Sequence, residues 1–175
     1  MKQTIGVGLV VAIALGGWLY YDFTKAVDGK TFRAWHGERV AAFKEMRRAF
    51  GPISDIAKGD DTYQQAIIDT SVVKLNDAAQ AIAPLFKSVA PYGDASPAIW
   101  VDNSNFNEMM SAFVNRTEGL VNNPPQDLAT LRPIVDALRQ DCADCHRKYK
   151  DWSRLYFRGF TLRVNALLRS ISGVP

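Results

Sequence analysis

From Leu128 to Tyr149 the apolar positions advance in alternating steps of three and four: Leu128, Leu131, Val135, Leu138, Cys142, Cys145, Tyr149. That spacing is the seam of a helix packed in a bundle, and both of the chain's cysteines lie on it. His146 follows the second cysteine directly, so the run Cys142-Ala143-Asp144-Cys145-His146 falls at the end of the seam. Two cysteines three apart and then histidine is the attachment pattern of a c-type haem. Each thiol adds to one vinyl group, and the neighbouring imidazole binds iron. On a helix, positions 142, 145 and 146 share a face, so all three reach one porphyrin. Other readings stand beside this one. A redox dithiol follows a strand in a βαβ setting, and no such pattern is visible. A structural zinc wants four ligands, and the chain offers only Cys142, Cys145, His146 and the distant His36. A chance pair is the remaining one.

Three further helical patterns precede this one, and no alternating strand pattern competes with them. The first runs from about Thr31 to Lys58, with Phe32, Trp35/His36, Arg39/Val40, Phe43, Met46 and Phe50 as its stripe; Gly51-Pro52 is expected to bend or break it. The second runs from about Asp61 to Ala90 along Ile68, Val72, Leu75, Ala79, Ile82, Phe86 and Val89, with a kink at Pro84. Pro91 to Pro97 reads as a loop. The third covers about Asn103 to Val121, turning Phe106, Met109/Met110, Phe113, Thr117 and Leu120 inward, and Asn122-Asn123-Pro124-Pro125 ends it. The fourth begins near Gln126. Four helices with mostly short connections predict an all-α, antiparallel up-down four-helix bundle holding one covalent haem.

Both ends extend beyond that bundle. Ile5 to Tyr21 is a 17-residue run without a charge, following Lys2, at the lower limit for a membrane span. A cleavable signal peptide is the alternative, but no Ala-x-Ala site follows the run. Trp18, Tyr20, Tyr21 and Phe23 stand where small residues belong, and aromatics there suit a membrane interface. The expectation is an N-terminal transmembrane helix over residues 1–24, a haem domain over 25–150 and a basic amphipathic extension over 151–175. From residue 146 onward there are seven Lys/Arg against one acid, in a chain whose formal net charge is +3. The stripe Trp152, Tyr156, Phe160, Val164, Leu167/Leu168, Ile171 lies on a membrane surface or packs on the chain itself. Nothing suggests nucleic acid: there is no phosphate loop and no reader motif.

Several strings resemble cytochrome c′ and its low-spin relatives of the cytochrome c556 type, over about residues 31–150. They are Arg39 to Met46 followed by Phe50-Gly51; Ala57-Lys58-Gly59 with Tyr63 beyond; Pro97-Ala98-Ile99-Trp100 leading to Phe106; and Cys142-x-x-Cys145-His146-x-x-Tyr149-Lys150. The resemblance implies that His146 is the proximal iron ligand and that the distal position on the first helix is Phe43. Low-spin relatives carry a ligating methionine there. Phenylalanine has no lone pair, which implies a five-coordinate, high-spin iron. It further implies that Arg39 pairs with a haem propionate through a bidentate guanidinium contact and that Lys150 is a cation beside the imidazole. Trp100 and Phe106 then line the pocket edge, with Tyr149 beside the haem. Members of the family are soluble after signal cleavage and end shortly after the haem motif, which this chain does not match at either end.

The function expected is single-electron transfer, with binding of nitric oxide or carbon monoxide, by a non-enzymatic c-type cytochrome. It would be held by a single span in the cytoplasmic membrane, with its haem domain facing the periplasm. Its partners would be a redox protein or membrane redox complex, and the family's habit of pairing through the first two helices makes a homodimer possible. Two other readings stay open. In one, Met46, a turn beyond Phe43 on the same face, is the sixth ligand of a low-spin carrier. In the other, the chain is a haem-bearing subunit of a membrane redox complex. Met109 and Met110 read as core, and His36 as a solvated or core histidine.

Overall fold

The computed structural model describes residues 24–151. The expected transmembrane helix over 1–24 and the extension over 151–175 lie outside them but for Thr24 and Asp151. Among the described residues no helix is long and apolar enough to cross a membrane.

Near the start of the described residues lies a hairpin that no hydrophobic pattern in the sequence announces. Strand β1 (Ala26–Val27) pairs antiparallel with β2 (Lys30–Thr31), Val27 opposite Lys30. Asp28 and Gly29 form its two-residue turn with φ of 51° and 76°, and Asp-Gly is the dipeptide that such a turn favours. With two residues a side, it is too short to show alternation. Trp35 Nε1 donates to Val27 O at 3.1 Å, and Ser88 Oγ donates to Asp28 Oδ2 at 2.6 Å.

Helix α1 (Phe32–Lys58) starts where Thr31 accepts from Ala34 N through its side chain at 3.1 Å, an N-cap bond. It ends at Gly59, whose φ is 90°. There Gly59 N donates to Ile56 O and Asp60 N to Asp55 O, the pair of bonds that closes a helix on a left-handed glycine. The expected break at Gly51-Pro52 does not occur, and the helix is continuous through Pro52. Proline removes one backbone bond, but Ala49 before it and Ile53, Ile56 and Ala57 after it bury into one core cluster, which keeps both sides helical.

Helix α2 (Gln65–Ile82) stops earlier than expected, and Ala83–Phe86 continue as a 3₁₀ turn with Pro84 in its first positions. The change of pitch ends the seam. Phe86 and Ala90 are buried, whereas Val89 is 56 % exposed. Val40, placed on the first stripe beside Arg39, is also exposed. Between the loop of Pro91 to Pro97 and the expected third helix, Ala98–Val101 form a one-turn helix, α3. Helices α4 (Asn103–Asn122) and α5 (Leu128–Tyr149) follow. Asp127 caps α5, accepting from Thr130 N at 2.7 Å.

The long helices run antiparallel to their neighbours, as their cross-links require. Between α1 and α5, Arg132 Nε donates to Ala57 O and Arg139 Nη2 to Ser54 Oγ, while Phe43 lies near His146. Between α4 and α5, Arg116 pairs with Asp141 and Asn105 with Tyr149. Between α2 and α4, Thr117 Oγ1 donates to Asn76 Oδ1 at 3.0 Å inside the core. The interior divides in two. A larger cluster is built on Ile53, Ile56, Ile68, Leu75, Leu131, Val135 and Leu138. A smaller one of Ile82, Phe86, Ile99, Phe106, Met110 and Tyr149 lies at the end where α1 begins and α5 finishes.

Candidate haem-binding site

The last turns of α5 cross the junction between these clusters. Cys142 packs against the larger and Cys145 against the smaller. Both thiols are part-buried, rather than fully inside the bundle as their seam positions suggest, and His146 is more exposed than either while its ring is still partly shielded from solvent. Burial raises both thiols, Cys142 with a contribution from Asp141 and Cys145 up to about 11 with one from Cys142. Reactive dithiols depend on the opposite shift, because the thiolate is the nucleophile. Among the described residues no three His, Cys, Asp or Glu side chains form a set able to hold a metal ion. His36 packs elsewhere, its ring centroid 5.7 Å from that of Tyr92 and its ring against the backbone of Gly93.

Phe43 faces the motif from α1. Its ring centroid lies 6.5 Å from that of His146, with the planes at 55°. Tilted rings at that separation meet edge to face, so Phe43 covers the imidazole from the side of α1. Phe43 is backed by Phe86 at 6.4 Å, and Phe86 by Phe106 at 5.0 Å and Trp100 at 6.3 Å. Phe106 meets Tyr149 edge-on at 5.2 Å. The expected edge residues therefore belong to one aromatic wall, joined through Phe86, whose place on the second seam marks it only as core. Trp100 is fixed in it by a bond from Nε1 to Phe86 O at 2.9 Å. Met46, one turn from Phe43, is half-buried and packs against both clusters.

Arg39 is 3 % exposed. Its Nε donates to Leu85 O at 3.0 Å and its Nη1 to Ala90 O at 2.7 Å, while the guanidinium lies over Phe86 and Trp100. Those two bonds take one donor from each of the guanidinium's paired edges. Nη2 is buried without a hydrogen-bond partner, a costly state for a charged donor.

The His146 imidazole is driven toward its neutral form, by burial first, then by Lys150 and Arg47, with Asp94 opposing. A neutral ring keeps a lone pair for a metal. Lys150 is therefore a cation acting on the imidazole, and its Nζ also stands 3.7 Å from Asp94 Oδ2. Its amide closes the final helical turn on His146 O at 3.2 Å. Tyr149 is held by Asp102 and Asn105, two residues that carry no signal in sequence beyond standing at the start of a helix.

The family model for cytochrome c′ matches residues 35–150. A cytochrome c-556 of Rhodopseudomonas palustris is 25% identical over 115 residues, covering 62% of this chain and 76% of that protein. A cytochrome c′ of the same organism is 25% identical over 119 residues, covering 65% of this chain and 79% of that one. Among solved structures, a cytochrome c′ superposes with a TM-score of 0.66 at 26% identity, over 71% of this chain and 100% of its own. The nitrosyl complex of a variant cytochrome c′ from Alcaligenes xylosoxidans gives 0.65 at 26% identity, over 69% and 97%. The match from Trp35 to Lys150 spans all four long helices and the cysteine–histidine run. The chain belongs to the cytochrome c′ family, periplasmic and non-enzymatic haem proteins whose membership implies covalent haem c.

Proposed function

We propose that Cys142 and Cys145 carry one haem c by thioether bonds, that His146 is its proximal ligand, and that the protein transfers single electrons and binds nitric oxide or carbon monoxide. The carrying observation is the placement of Cys142, Cys145 and His146 on one face at the end of α5, with Phe43 of α1 facing the imidazole at 6.5 Å. The surroundings fit the group. Both thiols share a helical face with the imidazole, that ring keeps a lone pair, and the buried Nη2 of Arg39 lacks the anionic partner that a propionate would supply. Haem c, when bound there, supplies a one-electron iron couple and an open sixth position for a small diatomic.

Phe43 sets the selectivity. It has no lone pair, so it fills the distal side without coordinating, and its ring must turn aside for a diatomic to enter. That displacement costs affinity, and the apolar wall of Phe43 and Phe86 offers no hydrogen bond to favour dioxygen. The nitrosyl complex of the Alcaligenes relative supports nitric oxide as a ligand. The uncharged run from Ile5 to Tyr21 supports a single membrane span presenting the haem domain to the periplasm.

Intact-mass analysis of protein matured in a host that attaches haem, followed by ferric and ferrous spectra, tests this reading. The expected result is the mass of chain plus one haem and a high-spin, five-coordinate spectrum. Phe43→Met should convert the iron to a six-coordinate, low-spin form. A polypeptide of bare mass ends the proposal. A wild-type band near ~695 nm in the oxidised state would instead assign Met46 as the sixth ligand.

A further inference from the structure

Asp102 stands between α3 and α4, where an aspartate ordinarily accepts from the first amides of its own helix. Its side chain makes no such bond. The carboxylate reaches α5 instead. Lys148 Nζ lies 2.6 Å from Asp102 Oδ2, and Tyr149 OH donates to the same oxygen at 3.1 Å. Asn105 Nδ2 donates both to Asp102 Oδ2 at 3.3 Å and to Tyr149 OH at 2.7 Å. Tyr149 is 3 % exposed, so this set satisfies a buried hydroxyl. Lys148 foremost holds the Asp102 carboxyl below the usual range; burial opposes it, and Tyr149 and Asn105 add to the lowering, so the group is ionised at neutral pH.

The main chain of the same turn is tied down from another direction. Ser96 N donates to Tyr149 O at 3.1 Å and Asp151 N to Asp94 O at 2.9 Å, and Ala95 forms a bridge with Lys150. The last turn of a helix frays unless something outside it supplies partners. Here that turn begins at His146, whose carbonyl receives the Lys150 amide. A ligand histidine depends on groups around it for its orientation.

We infer that Asp102 is a positioning residue for His146: through Lys148 and Tyr149 it fixes the terminal turn of α5 and so the aim of the imidazole. This rests on the reading of His146 as the proximal ligand. The loop holds the backbone of the turn, and Asp102 holds its side chains.

The test uses the full-length holoprotein with Asp102→Ala and Asp102→Asn, and Asp136→Asn as a control at an exposed carboxylate of α5 paired with Arg139. Intact mass first establishes haem attachment. Two measurements follow: hydrogen exchange at the Lys150 amide and the iron–imidazole stretching band of the ferrous protein. Asp102→Ala should speed Lys150 exchange by about tenfold or more through local opening, leave Val135 and Leu138 unchanged, and shift or broaden the stretching band. Asp102→Asn should lie between, because its amide oxygen still accepts from Tyr149 but carries no charge for Lys148. The control should match wild type. A stretching band of wild-type position and width in Asp102→Ala overturns the inference even if stability falls. Should that variant fail to fold, Tyr149→Phe, which removes the hydroxyl and keeps the ring, decides by the same two readings. A wild-type chain without haem ends the proposed function separately, and unchanged Lys150 exchange then ends this inference on its own.

Discussion

Arg39 lies on the buried face of α1, where a long cation is costly unless its donors are used. Two carbonyls of the segment after α2 accept from it, at Leu85 and Ala90. Replacing it with methionine keeps the apolar stem and leaves both carbonyls unmet. The expected loss is about 1–3 kcal/mol for each buried group left unsatisfied, measurable by urea denaturation. Gly93 is a second sensitive position. Its φ is 66°, and an added Cβ would fall 2.2 Å from the His36 ring. Gly93→Ala should destabilise the protein by more than ~1 kcal/mol, seen as a lower melting temperature. The residue scale is also where the sequence was most uneven. The cysteine–histidine run declares itself through spacing and seam, and Phe43 through the resemblance. Asp102, Asn105 and the unmatched Nη2 of Arg39 do not, because their roles depend on which residues distant in the chain meet them.

The helices owe their lengths to signals that are local and legible. Thr31 and Asp127 open α1 and α5 by accepting first-turn amides, and Gly59 closes α1. Thr31→Ala should therefore cost about 1 kcal/mol, read from the same denaturation curves. The seams were readable too: Leu131, Val135 and Leu138 are each 1 % exposed or less. Leu138→Ala should cost about 2–5 kcal/mol, according to how far the site collapses. The prolines read less well. Pro52 interrupts nothing, because packing on both sides outweighs one lost bond, whereas Pro84 shifts the chain into a tighter turn and throws Val89 outward. Sequence shows that a proline disturbs a helix; the surrounding contacts decide the form of the disturbance.

For the molecule as a whole, two carboxylates couple stability to acid. Lys148 and other hydrogen bonds hold Asp102 low, and the Thr130 amide and hydroxyl, with the Ala129 amide, hold Asp127 low, each against an opposing effect of burial. The native chain binds these two protons less readily than the unfolded chain. The stability they add is complete above about pH 3.9 and is lost as the pH falls through their depressed values. The urea midpoint of wild type should drop along that acid limb, and the limb should flatten when both residues become asparagine; an equally steep limb would place the titrating groups elsewhere.

The hairpin turned by Asp28 and Gly29 brings Ala26 back beside Thr31, at the pole of the bundle where α1 starts. Asp151 is bonded to Asp94 at that same pole, while Tyr63 meets Pro125 at the far one. Entry and exit of the described chain thus share one address with Phe43 and His146. A mooring at either terminus would keep the electron-exchanging end close to its support and turn the Gly59 end toward open solvent. Traffic in electrons would then run to neighbours fixed on that support more readily than to freely diffusing ones.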